Sequence, residues 1–230
     1  MSNITIAIDG FSSTGKSTIA KQLASELGYV YVDSGAMYRA MTLYAIQKKF
    51  FVSGLIAKEE LIESLHGAKL HFEFNPELGF AEMFLNNVNV ENQIRTMEVS
   101  NLVSTVAAIP DVRKKLVKIQ KEIGKNKGVV MDGRDIGTVV FPDAELKLFM
   151  TSSPETRAQR RYKEMLEKGQ DVQYEQVLNN VLERDHIDTT RADSPLIKAN
   201  DAIEIDNSDL TKEEQFSKIL SLVEEELRNV

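Results

Sequence analysis

The chain has 230 residues, of which 42% are hydrophobic and 27% charged, a formal net charge of −7 and no cysteine. This length and apolar content suit one buried core with decorations, and the missing cysteines exclude a disulfide framework, a thiolate metal site and thiol catalysis. The acidic balance disfavours nucleic acid and anionic membranes, no apolar run approaches the roughly 18 to 20 residues that span a bilayer, and Met1-Ser2-Asn3 carries no leader-like segment, so a soluble cytoplasmic protein with small-molecule partners is expected.

Ile4-Thr5-Ile6-Ala7-Ile8 is short, apolar and β-branched, the pattern of a strand covered on both faces. It leads into Gly10-Phe11-Ser12-Ser13-Thr14-Gly15-Lys16-Ser17-Thr18 and then into an amphipathic helix, residues 16–27, with Ile19, Ala20, Leu23, Ala24 and Leu27 on one face and Gly28 as its stop. Strand, glycine loop and helix N-terminus in that order form the context of a phosphate-binding P-loop. Gly10 and Gly15 accept the backbone angles that turn N–H groups toward one point. Lys16 supplies a point charge for the β- and γ-phosphates, and Ser17 a hydroxyl for Mg²⁺. The nine residues from Gly10 to Thr18 are the candidate triphosphate site.

The second strand, residues 29–32, ends in Asp33-Ser34-Gly35-Ala36-Met37-Tyr38-Arg39. Asp33 or Ser34 can cap a helix whose free N–H groups, with Arg39, suit a second phosphate. Taken alone, the segment reads first as ordinary capping with a surface arginine. Residues 59–92 then leave the strand–helix alternation. A short helix (59–65), alternating segments at 70–74 and 81–85 joined by Asn75-Pro76-Glu77-Leu78-Gly79, and Val88-Asn89-Val90 predict a small antiparallel subdomain between core segments 1–58 and 93–230. His66 and His71 lack a third ligand at metal spacing and read as ordinary histidines. A helical stretch at 98–124, broken near Pro110, returns the chain to the core.

The third core strand, residues 128–131, ends in Met131-Asp132-Gly133-Arg134-Asp135. A carboxylate at the end of a buried strand beside the P-loop strand suits Mg²⁺ or its water shell, so Asp132 joins Ser17 as the metal candidate. Arg134 and Asp135 project at the same sheet edge, where open α/β sheets bind ligands. After a fourth strand, residues 146–150, Ser153-Pro154-Glu155 opens a helix that ends near Gly169 and carries Arg157, Arg160 and Arg161. The next helix, from 172 to about 191, carries Arg184, Asp188 and Arg191 at i, i+4 and i+7. Arginines grouped on single faces suit bidentate phosphate recognition, with solvated helix faces as the plain alternative. A fifth strand, 202–205, and a last helix, 211–228, with Thr211 and Glu214 as a capping box, complete the alternation. It predicts an α/β fold around an open five-stranded parallel sheet flanked by helices.

On these residues the chain resembles the bacterial cytidylate kinases, a branch of the P-loop nucleoside monophosphate kinases that moves phosphate from ATP to CMP or dCMP. The resemblance is carried by the P-loop, by Asp33 to Arg39, by Ile94-Arg95-Thr96 leading to Val103-Ser104 and Val112-Arg113, by DGRDIGTVVFPD at 132–143, and by Glu183-Arg184-Asp185 through Arg191. It implies a P-loop kinase fold with a helical lid over about 153–191, ATP with Mg²⁺ as donor, and a monomeric enzyme of pyrimidine nucleotide metabolism. It would put Ser34, Arg39, Arg134 and Arg191 on the acceptor phosphate, Ser104, Arg113 and Asp135 at the cytosine, and Arg184 and Asp188 at the sugar. Lys16, Arg157, Arg160 and Arg161 would surround the transferring phosphoryl group, while Asp135 would accept from the cytosine amino group and repel the uracil edge. Two positions depart from the usual pattern: Phe11 stands where proline is common, and Ser17 where glycine is frequent. Competing readings are a kinase of UMP, dTMP or a non-nucleotide alcohol, and a regulatory GTPase; the latter lacks its Asn-Lys-x-Asp element, because Asn126-Lys127 is followed by Gly128-Val129.

Overall fold

The computed structural model of the chain describes residues 3–229, so Met1 and Ser2, read above as a leaderless start, lie outside the described residues. In chain order the elements are β1 (Thr5–Gly10), α1 (Lys16–Leu27), β2 (Val30–Asp33), α2 (Ser34–Gln47), β3 (Phe51–Val52), β4 (Leu55–Ile56), α3 (Lys58–Ser64), β5 (Leu70–Asn75), β6 (Phe80–Leu85) and β7 (Val88–Asn89). There follow α4 (Met97–Ala107), α5 (Pro110–Ile123), β8 (Val129–Gly133), β9 (Leu146–Thr151), α6 (Pro154–Glu167), α7 (Tyr174–Thr190), β10 (Ile203–Asp206) and α8 (Lys212–Asn229).

Five strands form one parallel sheet in the order β10-β9-β1-β8-β2, which puts the P-loop strand at its centre. All six residues of β1 are buried, as a strand covered on both faces requires. Ile4, Ile6 and Ile8 point to one layer, where they meet Ile19 and Leu23 of α1 and Ile219 and Val223 of α8. Ala7, Val32, Val129 and Met131 point to the other, against Ile136, Val140 and Ala144. The register sets Asp9 opposite Gly133, Gly10 opposite Met150, and Asp33 opposite Asp132. The carboxyl ends of β1, β2 and β8 therefore open on a common crevice.

The inserted segment is antiparallel, in the order β5-β6-β7, with the last turn made by Asn86 and Asn87, both at positive φ. Its Leu61, Ala68, Met83 and Leu85 are buried in one cluster with Met37 and Met41 of α2, Val103 of α4 and Leu116 of α5. The insertion thus closes its apolar side on α2, α4 and α5.

The helical stretch breaks where the sequence reading put it, because Pro110 takes the first position of α5 and holds Ile109 extended before it. Two elements differ from that reading. α7 starts at Tyr174, where Gln173 and Gln176 cap each other reciprocally; glutamine lies outside the usual N-cap set, which hid the boundary. The β3–β4 hairpin was not anticipated, although Ser53-Gly54 between two apolar pairs is a turn signal.

Candidate active site

The glycine loop between β1 and α1 is shaped by backbone. Gly10 has φ 143°, and a Cβ there would lie 2.0 Å from the Met150 carbonyl oxygen, so no larger residue fits between β1 and β9. Gly15, left-handed at φ 87°, caps α1, whose N-terminal N–H groups and positive dipole end face the loop. Inside the loop, Thr14 Oγ1 donates to the Phe11 carbonyl at 3.0 Å, and Lys16 Nζ donates to that carbonyl and to Thr14 Oγ1. Behind it, Asn207 Nδ2 donates to the Thr14 carbonyl at 2.6 Å and is itself held by Arg160. Burial, and then Arg134, push the Lys16 ammonium well below its ordinary value. Asp132 and Asp9 offset part of that cost, and an entering anion would offset more. Phe11 is accommodated because its ring packs edge-on to Phe149 and beneath the Arg157 guanidinium, while its backbone does the work in the loop.

Asp132 sits beside this loop. It accepts from Ser17 Oγ at 3.0 Å and from the Tyr31 hydroxyl at 2.9 Å, and its backbone carbonyl accepts from Ser34 Oγ at 2.7 Å. Burial, and then the neighbouring Asp33, push its carboxyl up to about 6. Ser17 and Asp132 are hard oxygen donors, the set that suits Mg²⁺ completed by phosphate and water oxygens. Among the described residues no group of three or more His, Cys, Asp and Glu forms a self-sufficient metal cage. His66 meets the Glu63 carbonyl and His71 stacks on Phe84.

Opposite lies a network of paired charges. Arg113 is fully buried, bonded to Asp135 and, through Nη1, to the Ala107 carbonyl at 3.1 Å. Asp188 accepts from Ser104 Oγ at 3.1 Å and Arg134 Nε at 3.1 Å, and Arg191 approaches both Asp188 and Asp135, at 3.6 and 4.0 Å. Arg39 Nη2 donates to Asp33 Oδ2 at 2.7 Å. Arg161 and Arg184 both donate to the hydroxyl of Ser100, at 2.7 and 3.3 Å. Burial, and then Arg161 and Arg134, push the Arg184 guanidinium down to about 9. The buried Nε–H groups of Arg39, Arg113, Arg161 and Arg184 have no acceptor within the protein.

These groups line one cleft of about 740 Å³ open to solvent. Of the sequence candidates, Ser12, Ser13, Lys16, Ser17, Ser34, Arg39, Ser104, Arg113, Asp132, Arg134, Asp135, Arg161, Arg184, Asp188 and Arg191 line it, with Gly10, Phe11, Thr14, Gly15 and Thr18 behind or beside that surface. Arg157 does not reach the cleft. It is buried, forms two bonds to the Asp185 carboxylate and donates to the Ser152 and Ser12 carbonyls, tying α6 to α7 and to the P-loop. Sequence reasoning missed Tyr38, whose ring lies 5.4 Å from the Arg113 guanidinium, and Ser100, which bridges two arginines. It also missed Asp9, whose carboxylate accepts from the N–H groups of Ile136 and Gly137 at 2.8 and 2.7 Å and so pins the loop after β8 to β1. An aspartate ending a buried strand was the available signal for that last residue.

Seven cations face four carboxylates across the cleft, on a chain that is acidic overall. Such a surplus, with unpaired buried donors, suits a multiply charged anion. Among the described residues no helix is long and apolar enough to cross a membrane. The family model described as "Cytidylate kinase" matches residues 6–225. A cytidylate kinase of Flavobacterium psychrophilum is 67% identical over 97% of this chain and 99% of its own. One of Flavobacterium johnsoniae is 66% identical over 97% of each chain, and one of Bacteroides fragilis 58% identical over 94% of each.

Proposed function

The chain belongs to the cytidylate kinase family, and we propose on that premise how its residues divide the work of transferring the γ-phosphoryl group of ATP to CMP or dCMP. The reaction yields ADP and CDP or dCDP: an oxygen of the acceptor phosphate bonds to the γ-phosphorus as the bond to the β,γ-bridging oxygen breaks. The donor triphosphate lies along Gly10 to Thr18, with Lys16 on its β- and γ-phosphates. Ser17 and Asp132 would hold a Mg²⁺ ion, which would supply charge neutralisation on those phosphates.

Ser34, Arg39, Arg134 and Arg191 grip the acceptor phosphate and point one oxygen at the γ-phosphoryl group. Ser104, Arg113 and Asp135 face the cytosine, and Arg184 and Asp188 the sugar. No general base is needed, because a phosphate monoester with a second pKa near 6 is already largely ionised. Catalysis is alignment and charge neutralisation, with Lys16 and Arg161 stabilising the group in flight. Arg157 acts one step back, by fixing the lid helices to the P-loop, and the lid excludes water that would otherwise hydrolyse ATP. One chain carries every group in this scheme, which favours a monomer acting among small cytoplasmic metabolites.

The observation that carries the assignment of roles is the cation surplus with four unpaired guanidinium Nε–H groups directly across from a P-loop. A coupled assay over CMP, dCMP, UMP and dTMP tests it. CMP and dCMP are expected to lead by kcat/KM; a preference for UMP would overturn the role given to Asp135.

A further inference from the structure

Arg95 stands just past the insertion, at the end of the short turn Gln93–Arg95. Its guanidinium bridges two carboxylates. Nε donates to Glu91 Oε1 at 2.8 Å and Nη2 to Asp33 Oδ2 at 3.3 Å. Glu91 is tied to the insertion, since its Oε2 accepts from the Met83 N–H in β6 at 3.0 Å. Asp33 is tied to the acceptor side, since the same Oδ2 accepts from Arg39 Nη2 at 2.7 Å while Oδ1 caps α2 through the Ala36 N–H at 2.8 Å. Two guanidiniums therefore share one oxygen of one carboxylate.

The Asp33 side chain is only 8% exposed. A carboxylate this buried is costly to leave without a cation. Burial alone would raise its carboxyl, yet Arg39 and Arg95 together hold it below the ordinary carboxylate value. Arg39 can move from Asp33 to a phosphate at low cost only if the second cation stays. Lys21 is the other nearby cation, but its ammonium lies over the Phe80 ring at 3.3 Å.

We propose that Arg95 is a positioning residue: it keeps Asp33 neutralised so that Arg39 can be released to the acceptor phosphate, and through Glu91 it makes that release depend on how the insertion is seated. This gives residues 59–92 a part in acceptor binding without direct contact to the nucleotide. The inference rests on Arg39 gripping the acceptor phosphate, so the test carries its own control for that reading.

Steady-state kinetics of Arg95→Gln should show the KM for CMP raised about tenfold, with the KM for ATP and kcat within about threefold of the parent. Glu91→Gln should raise the KM for CMP less. Asn caps a helix as well as Asp does, so Asp33→Asn keeps α2 while removing the charge; in that background Arg95→Gln should add less than about twofold. An equal effect of Arg95→Gln in both backgrounds, or a thermal shift with the KM for CMP unchanged, overturns the proposal. Arg39→Gln is the control. If it raises the KM for CMP while Arg95→Gln does not, the role of Arg95 fails and that of Arg39 stands; if it leaves the KM unchanged, the acceptor-phosphate reading fails and takes this inference with it.

Discussion

Nine consecutive residues, Gly10 to Thr18, make the side of the cleft that we assign to the donor, whereas the side we assign to the acceptor draws Ser34 and Arg39 from α2, Ser104 from α4, Arg113 from α5, Arg134 and Asp135 from the loop after β8, and Arg184, Asp188 and Arg191 from α7 and its end. The donor side works mainly through backbone: two glycines at positive φ, one helix N-terminus and one lysine. The acceptor side works through side chains already paired with one another, as in Arg113–Asp135, Arg134–Asp188 and Arg39–Asp33. A backbone cradle is formed before its ligand arrives and needs no partner exchange. A network of ion pairs must trade partners on binding, so its affinity is set by what each released partner is left with.

The comparison is most exposed at Lys16, the donor-side side chain assigned above to the phosphates. Lys16→Ala should lower kcat on the order of 10² or more, with little change in the KM for CMP. Near-parental turnover would mean the cradle does not hold the donor.

A smaller effect is expected across the cleft. Asp135→Asn should reduce the preference for CMP over UMP on the order of 10-fold to 100-fold, measured as the ratio of kcat/KM values. It should also lower thermal stability, because Arg113 loses its buried partner. A stability loss without a change in preference would make Asp135 purely structural.

Asp9 tests the seam between the halves. Burial first, and Asp135 after it, raise its carboxyl from its ordinary 3.8 to about 7, against the opposing bonds from Gly137 and Ile136. Between those two values the folded form is expected to hold a proton that the unfolded chain releases. This contribution to stability is fully present below about 3.8 and is lost as pH rises through about 7. In urea unfolding between pH 5 and 8, the parent should lose on the order of 2 kcal/mol relative to Asp9→Asn as pH increases. Parallel pH profiles would show that Asp9 is ionised throughout.

The smallest effect is expected at Phe11, whose side chain packs on Phe149 while its carbonyl does the work in the loop. Phe11→Leu should change the KM for ATP by less than about threefold, because the backbone course is kept and the swap is apolar for apolar. A larger change would show that the donor side depends on more than backbone.

Features of the same local kind were the readable ones. All five core strands, the P-loop, the Thr211–Glu214 capping box and the break before Pro110 lie where period, glycine, cap or proline put them, since each signal is contained within a few residues. The residue types needed for phosphate were visible as well, and so were the segments that bear them.

What those arginines bind within the protein was not. Arg157 and Arg161 are four residues apart on α6, yet one is buried against Asp185 and the other opens on the cleft beside Ser100. Arg39 waits on Asp33 with Arg95 sharing the oxygen, a contact made between residues 62 positions apart. The sequence alone determined the donor cradle, because a backbone conformation is chosen locally by glycine and helix start. The tertiary structure alone decided the strand order, the route of each ion pair and which guanidiniums keep a free N–H, because those depend on which distant carboxylate the packing brings within reach.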